Sequence, residues 1–132
     1  HIESDEEITI ALTEMKKRLK NSGRLLLSVR DYQNLMRERP SFTSPKFFRD
    51  SKYQRIVHQV WDWHDDRHYT MHLYITYETS KGWISHHFVG NYRAIGQNEV
   101  AKLVKSAGFK EVKILTPEET GYYQPIVQGR NP

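Results

Sequence analysis

Apolar positions follow a helical period near both ends of the chain and alternate along its middle. Ile8, Ala11, Leu12, Met15 and Leu19 fall on one helical face. Ser4-Asp5-Glu6-Glu7 precedes them, and Ser4 with Glu7 three residues on is a helix-start signature. The acidic residues suit the positive end of a helix dipole, and Lys16, Lys17, Arg18 and Lys20 suit the other end. Asn21-Ser22-Gly23 closes the helix. Residues 24–30 then run almost continuously apolar through Leu25, Leu26, Leu27 and Val29, which predicts a strand covered on both faces. Residues 33–50 are polar and carry Pro40 and Pro45, so they read as a loop with a helical turn.

Three alternating runs follow. They cover 53–63, 69–77 and 83–93, with turns at 64–67 and 79–82, and predict an antiparallel meander. All three Trp and five of the eight Tyr lie between Tyr53 and Tyr92. Both faces of the meander therefore carry aromatic residues, one more apolar face than a core requires. Beyond it, Val100, Leu103, Val104 and Ala107 define a second amphipathic helix. Glu99 stands three residues after Gly96, as in a capping box without its hydroxyl, and Gly108 suits the left-handed position after the helix end. Phe109 is an anchor, 112–115 a short strand, 117–121 a polar turn and 122–128 a last strand. Pro125 conflicts with that last strand, because it has no N–H for a central ladder.

Composition narrows the classes. A chain of 132 residues, 37% hydrophobic, suits one compact domain. No run approaches the roughly twenty apolar residues of a membrane span. Cys is absent, which removes disulfide and thiolate chemistry and is compatible with a cytoplasmic home. The net charge is +4, with basic residues dispersed among acidic ones, so a nucleic-acid partner is not signalled. The seven His lack ligand-motif spacing, and Asp62, Asp65 and Asp66 surround a turn. Neither a metal site nor a paired-carboxylate hydrolase is indicated.

The wording of the C-terminal third is more specific. Tyr92-Arg93-Ala94 leads into the second helix, Ala107-Gly108-Phe109 ends it, and Gly121-Tyr122-Tyr123-Gln124 opens the last segment. In this order they resemble the C-terminal half of class I S-adenosyl-methionine-dependent methyltransferases of the small-molecule type. The resemblance implies an α/β fold. It would be a partial Rossmann-like sheet made of strands five to seven, in the order five-seven-six, with the 53–93 sheet inserted after strand five. The cofactor, S-adenosyl-methionine, would be held by a first half that is not in this chain, which has no G-x-G turn. His1 is the one position assigned near it. The chain begins at His1 without Met and reads as a fragment or a processed piece.

On this reading the partner is a small-molecule methyl acceptor. Its candidate contacts are Arg30, Asp31 and Tyr32, just past the first strand, together with Trp63, Tyr92, Arg93 and Tyr122. Ligands of open α/β sheets bind beyond the carboxyl ends of the strands. Arg30 or Arg93 can clamp a carboxylate, and Trp63, Tyr92 or Tyr122 can bound a cation. The plainer alternative is that these residues pack the sheet and cap its strands, with Arg30 paired to Asp31. The first strand, Leu25 through Val29, would expose an edge open to an N-terminal half or to a second copy in a homodimer. A function from another class also fits: a non-enzymatic α+β module that binds a ligand or a protein through the aromatic sheet.

Overall fold

The computed structural model describes residues 4–50 and 52–132. In chain order these form α1 (Asp5–Arg18), β1 (Arg24–Ser28), α2 (Tyr32–Glu38), β2 (Lys46–Asp50), β3 (Tyr53–Trp63) and β4 (His68–Thr79). Then come β5 (Gly82–Arg93), α3 (Gln97–Ser106), β6 (Lys110–Leu115), α4 (Pro117–Thr120) and β7 (Ile126–Arg130). The chain divides into two compact units. One combines the residues up to 37 with 95–132, and the other is 38–94.

The first unit holds a three-stranded antiparallel sheet in the order β1-β7-β6. This is the five-seven-six arrangement that the sequence motifs imply. Helix α1 starts as predicted. Ser4 Oγ accepts from Glu7 N–H at 3.1 Å, and the Glu7 carboxylate accepts from Ser4 N–H at 3.2 Å. Helix α3 starts at Gly96, where Glu99 accepts from the Gly96 N–H at 3.2 Å. It ends at Gly108, whose φ of 86° is the left-handed conformation expected there. The core is Leu12 from α1, Leu25 and Val29 from β1 and its end, Val100, Ala101 and Val104 from α3, and Phe109 and Val127. Each large side chain buried there contributes about 1.5–3 kcal/mol.

Four local expectations change. Leu26 is 59% exposed, so β1 is covered on one face, as suits a strand at the sheet edge. Met15 lies on the exposed side of α1, and the buried contact there is Leu12. The 117–121 turn is a helix, α4, capped by Thr116 and closed by Gly121 at φ 70°. The last strand begins at Ile126, one residue after Pro125, and runs on to Arg130. The conflict over Pro125 thereby disappears. Proline sits ahead of the ladder, and its carbonyl accepts from Val29 N–H at 2.9 Å.

The second unit is an antiparallel sheet in the order β2-β3-β4-β5. The meander appears where the alternation places it, with His68 paired to Arg93 and Thr79 to Gly82 across an unbroken β4–β5 ladder. Strand β2 is an addition, since 33–50 reads as a loop. Its Phe47 and Phe48 pair with Ile56 and Arg55 on β3, the next strand in the chain, and this pairing overrides the loop reading of a Pro-flanked sequence. Ahead of it, Thr43 N–H donates to the Gln59 carbonyl at 2.9 Å, and Thr43 Oγ1 accepts from Gln59 N–H at 2.9 Å.

Candidate functional site

In the first unit the predicted residues gather at one end of the sheet. Strand β1 ends at Ser28, paired with Ile126 at the start of β7. The chain that leaves β1 through Arg30 and the chain that arrives through Tyr122 therefore meet at the same end. Asp31 is already engaged. Its carboxylate accepts from the Asn34 N–H at 3.3 Å and from the Asn34 side-chain amide at 2.6 Å, which starts helix α2. Arg30 and Tyr32 are half-buried beside it.

Tyr122 has a partner that sequence reasoning passed over. Its ring lies 4.7 Å from that of Tyr123, at 48°. The hydrogen bond with Tyr122, and repulsion from its charge, raise the Tyr123 pKa above its usual value, while the positive charge of Arg30 pulls the other way. Arg30 is thus within electrostatic reach of the tyrosine pair. Tyr123 is 76% exposed, so the pair offers a phenol edge to solvent. The Tyr122-Tyr123 doublet was the available signal.

In the second unit Trp63 and Tyr92 share one face of the sheet. Tyr69 lies between them, 4.8 Å from Trp63 and 5.5 Å from Tyr92, and Trp61 stacks on Tyr69 at 4.6 Å. Trp61 and Tyr69 are buried, so Trp63 and Tyr92 flank a packed aromatic row. Trp63 Nε1 donates to the Pro40 carbonyl at 3.1 Å. The Tyr92 ring covers Gly90, where a Cβ would come within 2.8 Å of it. Arg93 follows Tyr92 in the same strand and so faces the other side of the sheet. The two do not converge.

That other side carries a second row. His58 stacks on Tyr74 at 5.0 Å, Tyr74 on His87 at 4.5 Å and His87 on His72 at 5.0 Å. His72 Nδ1 lies 2.8 Å from His87 Nε2, and His72 Nε2 lies 3.0 Å from an Asp62 oxygen. With Asp62 accepting from His72, the neutral ring of His72 can accept from His87 in turn, so one proton can pass along the three groups. Strand alternation shows His72 and Asp62 on particular faces but not that His87 meets them. Among the described residues no group of three or more His, Asp or Glu side chains is arranged to hold a metal ion. No helix of the described residues is long and apolar enough to cross a membrane.

No protein-family model and no curated protein matches the sequence. Solved structures do. An amino pentose methyltransferase of Micromonospora echinaspora, involved in calicheamicin biosynthesis and holding S-adenosyl-methionine, superposes with a TM-score of 0.72 at 14% identity. The match covers 99% of this chain and 53% of that one. The chain has a methyltransferase fold. A sugar N-methyltransferase from a Streptoalloteichus species matches at TM-score 0.72 and 12% identity, over 97% of this chain and 50% of its own. DesVI of Streptomyces venezuelae matches at 0.70 and 18%, over 96% and 52%. The chain spans about half the length of each of these three proteins.

The described part of this methyltransferase fold does not fit S-adenosyl-methionine as its resident cofactor. A cradle of that kind needs a glycine where a strand feeds a helix, so that the backbone can approach the ligand. Gly96 holds such a place, between β5 and α3, but Gln33 Cγ would lie 3.3 Å from a Cβ there, and its N–H is held by Glu99. The β1–α2 turn, Val29-Arg30-Asp31, has no glycine, and Asp31 occupies the Asn34 N–H of the helix. His1, the position assigned to the cofactor from sequence, lies outside the described residues.

Proposed function

We propose that this chain is the acceptor-side portion of an S-adenosyl-methionine-dependent methyltransferase that acts on a small molecule, with amino sugars the favoured class. One observation carries the reading. Three solved structures, one of an amino pentose methyltransferase and one of a sugar N-methyltransferase among them, each superpose on at least 96% of this chain with about half of their own length. A fold shared with enzymes at this identity hosts many functions, so the site supplies the rest of the argument.

Methyl transfer to a neutral amine needs alignment and a desolvated cavity more than an acid or a base. Arg30 with Tyr122 and Tyr123 would hold hydroxyl and anionic groups of the acceptor at the end of the three-stranded sheet. The cofactor would be held by a separate N-terminal half, whose last strand would pair with the outer edge of β1. That edge has no partner strand among the described residues.

Calorimetry with S-adenosyl-methionine tests this on two proteins, the 132-residue chain and the product of its complete reading frame. The longer protein is expected to bind and to transfer a labelled methyl group to the nitrogen of an amino sugar, while the chain alone does not bind. If the longer protein neither binds nor transfers, the reading fails. The aromatic sheet then stands as a non-enzymatic binding module.

A further inference from the structure

Two imidazole nitrogens meet on one face of the four-stranded sheet. His87 of β5 stands directly opposite Tyr74 of β4, and His72 stands two positions from Tyr74 on the same face. Diagonal neighbours of this kind are within reach of ring side chains. His72 Nδ1 and His87 Nε2 are 2.8 Å apart, and His72 Nε2 is 3.0 Å from an Asp62 carboxylate oxygen. Asp62 stands on β3 opposite Thr70, so it too is diagonal to His72. With Asp62 accepting the Nε2 hydrogen of His72, the lone pair of a neutral His72 lies on Nδ1, turned toward His87. A carboxylate behind a histidine is the arrangement that orients imidazole ligands at metal centres.

We propose that His72 Nδ1 and His87 Nε2 bind one divalent copper ion in adjacent positions of a square-planar site, with Asp62 orienting His72. The separation of the nitrogens selects the ion. Two nitrogens about 2.0 Å from a common ion lie about 2.8 Å apart across a right angle and about 3.3 Å apart across a tetrahedral one. The 2.8 Å between the two rings is the right-angle value. Square-planar coordination by nitrogen and oxygen belongs to Cu2+ and Ni2+, and Cu2+ binds the more tightly of the two. Without the ion, His87 donates its Nε2 hydrogen to His72. The ion takes the place of that hydrogen, and His87 keeps its one ring hydrogen on Nδ1. His87 is exposed, so its ring can turn to bring the Nε2 lone pair onto the ion. No third His, Asp or Glu among the described residues is arranged to join the pair, so water fills the other two positions. The surroundings suit a cation. No Lys or Arg stands within two positions of either histidine on this face, along β3, β4 or β5, and Asp62 supplies negative charge.

Titration of the 132-residue chain with Cu2+ alone is the test, read by electron paramagnetic resonance, with circular dichroism to check folding. His1→Gln is made in every protein, so that a histidine near the start of the chain takes no copper. The expected result is one ion per chain, with a tetragonal spectrum split by two imidazole nitrogens. His87→Gln is expected to weaken binding by roughly tenfold or more and to leave one nitrogen, because two ligands on one frame act as a chelate. Asp62→Ala is expected to weaken binding by about 10- to 100-fold while the spectrum still shows two nitrogens, as suits a positioning residue. His86 is the control, since its Nε2 is bonded to Tyr77 Oη at 2.9 Å on the other face, and His86→Gln is expected to leave copper binding unchanged. A chain that binds no copper overturns the proposal. So does copper held by a single imidazole, copper whose affinity His87→Gln leaves unchanged, or copper that His86→Gln weakens as much as His87→Gln does. Should His87→Gln misfold, His72→Gln decides by the same two readouts.

Discussion

The Asn131 side-chain amide donates to the Leu19 carbonyl at 3.0 Å, tying the second-last residue to the end of the first helix. The same nitrogen reaches the Lys20 carbonyl at 3.2 Å, and the backbone of Asn131 brackets the turn, accepting from Ser22 N–H at 3.0 Å and donating to the Gly23 carbonyl at 2.8 Å. Helix ends leave carbonyls without partners, and here a distant residue satisfies them. Asn131 is buried, and truncation removes the amide donor of the Leu19 carbonyl, while the Lys20 carbonyl still accepts from Gly23 N–H at 2.9 Å.

Asn131→Ala is therefore expected to destabilise the chain by about 1–3 kcal/mol. Asn131→Asp is expected to be at least as costly, since a carboxylate cannot donate to a carbonyl. Urea unfolding of both variants checks this. A loss below about 0.5 kcal/mol would show that the contacts contribute nothing net.

Gly129 has no room for a side chain. A Cβ built there would lie 2.9 Å from Val104 Cγ1 and 3.1 Å from Phe109 Cβ, both fixed in the core. Gly129→Ala is expected to cost about 1–3 kcal/mol through overpacking. Gly82 lies in open space but at φ 116°, so Gly82→Ala tests backbone strain alone. Thermal melts of the two variants separate the causes.

Asp65 organises the β3–β4 turn. Its carboxylate accepts from the N–H groups of Arg67 and His68, each at 2.7 Å, and pairs with the His68 ring at 2.8 Å. The backbone hydrogen bonds to Arg67 and His68, chiefly, lower its pKa from 3.8 to about 2. A carboxylate with a depressed folded-state pKa stabilises the fold above its ordinary value. For Asp65 that contribution is complete above 3.8 and is lost as the pH falls toward 2. Carboxyl chemical shifts followed by NMR should place its midpoint near 2, and a midpoint near 3.8 would contradict the geometry.

Arg30 is the residue on which the acceptor reading is most exposed. In the product of the complete reading frame, Arg30→Ala is expected to raise KM for the acceptor by about 10- to 100-fold, the worth of a charged hydrogen bond, with kcat little changed. Steady-state kinetics of the variant check this, and an unchanged KM would remove Arg30 from the acceptor site.

Much of the fold was legible because it is written in local patterns. The Ser4–Glu7 capping box, the stop at Gly108, and the meander from Tyr53 to Arg93 each depend on residues close together in the chain. The motifs from Tyr92 to Gln124 carried the fold resemblance and with it the order of the three-stranded sheet. Strand β2 was missed because it is only five residues long and follows Pro45, and it exists because β3 offers it a ladder.

The candidate site divides in the same way. Residue types at the end of β1 and along the meander were visible in the chain, but not their company. That Asp31 is spent on capping α2, that Tyr123 joins Tyr122, and that His72 meets both Asp62 and His87 are results of pairing across strands and turns. The sequence by itself determined where elements begin, which face of each is apolar and which turns connect them, because these follow from backbone preference and from periods of two and 3.6. Only the tertiary structure decided which strands lie side by side, which edges stay open and which polar groups meet. Those depend on register and packing between residues far apart in sequence, as with Asn131 and Leu19, and no local period encodes them.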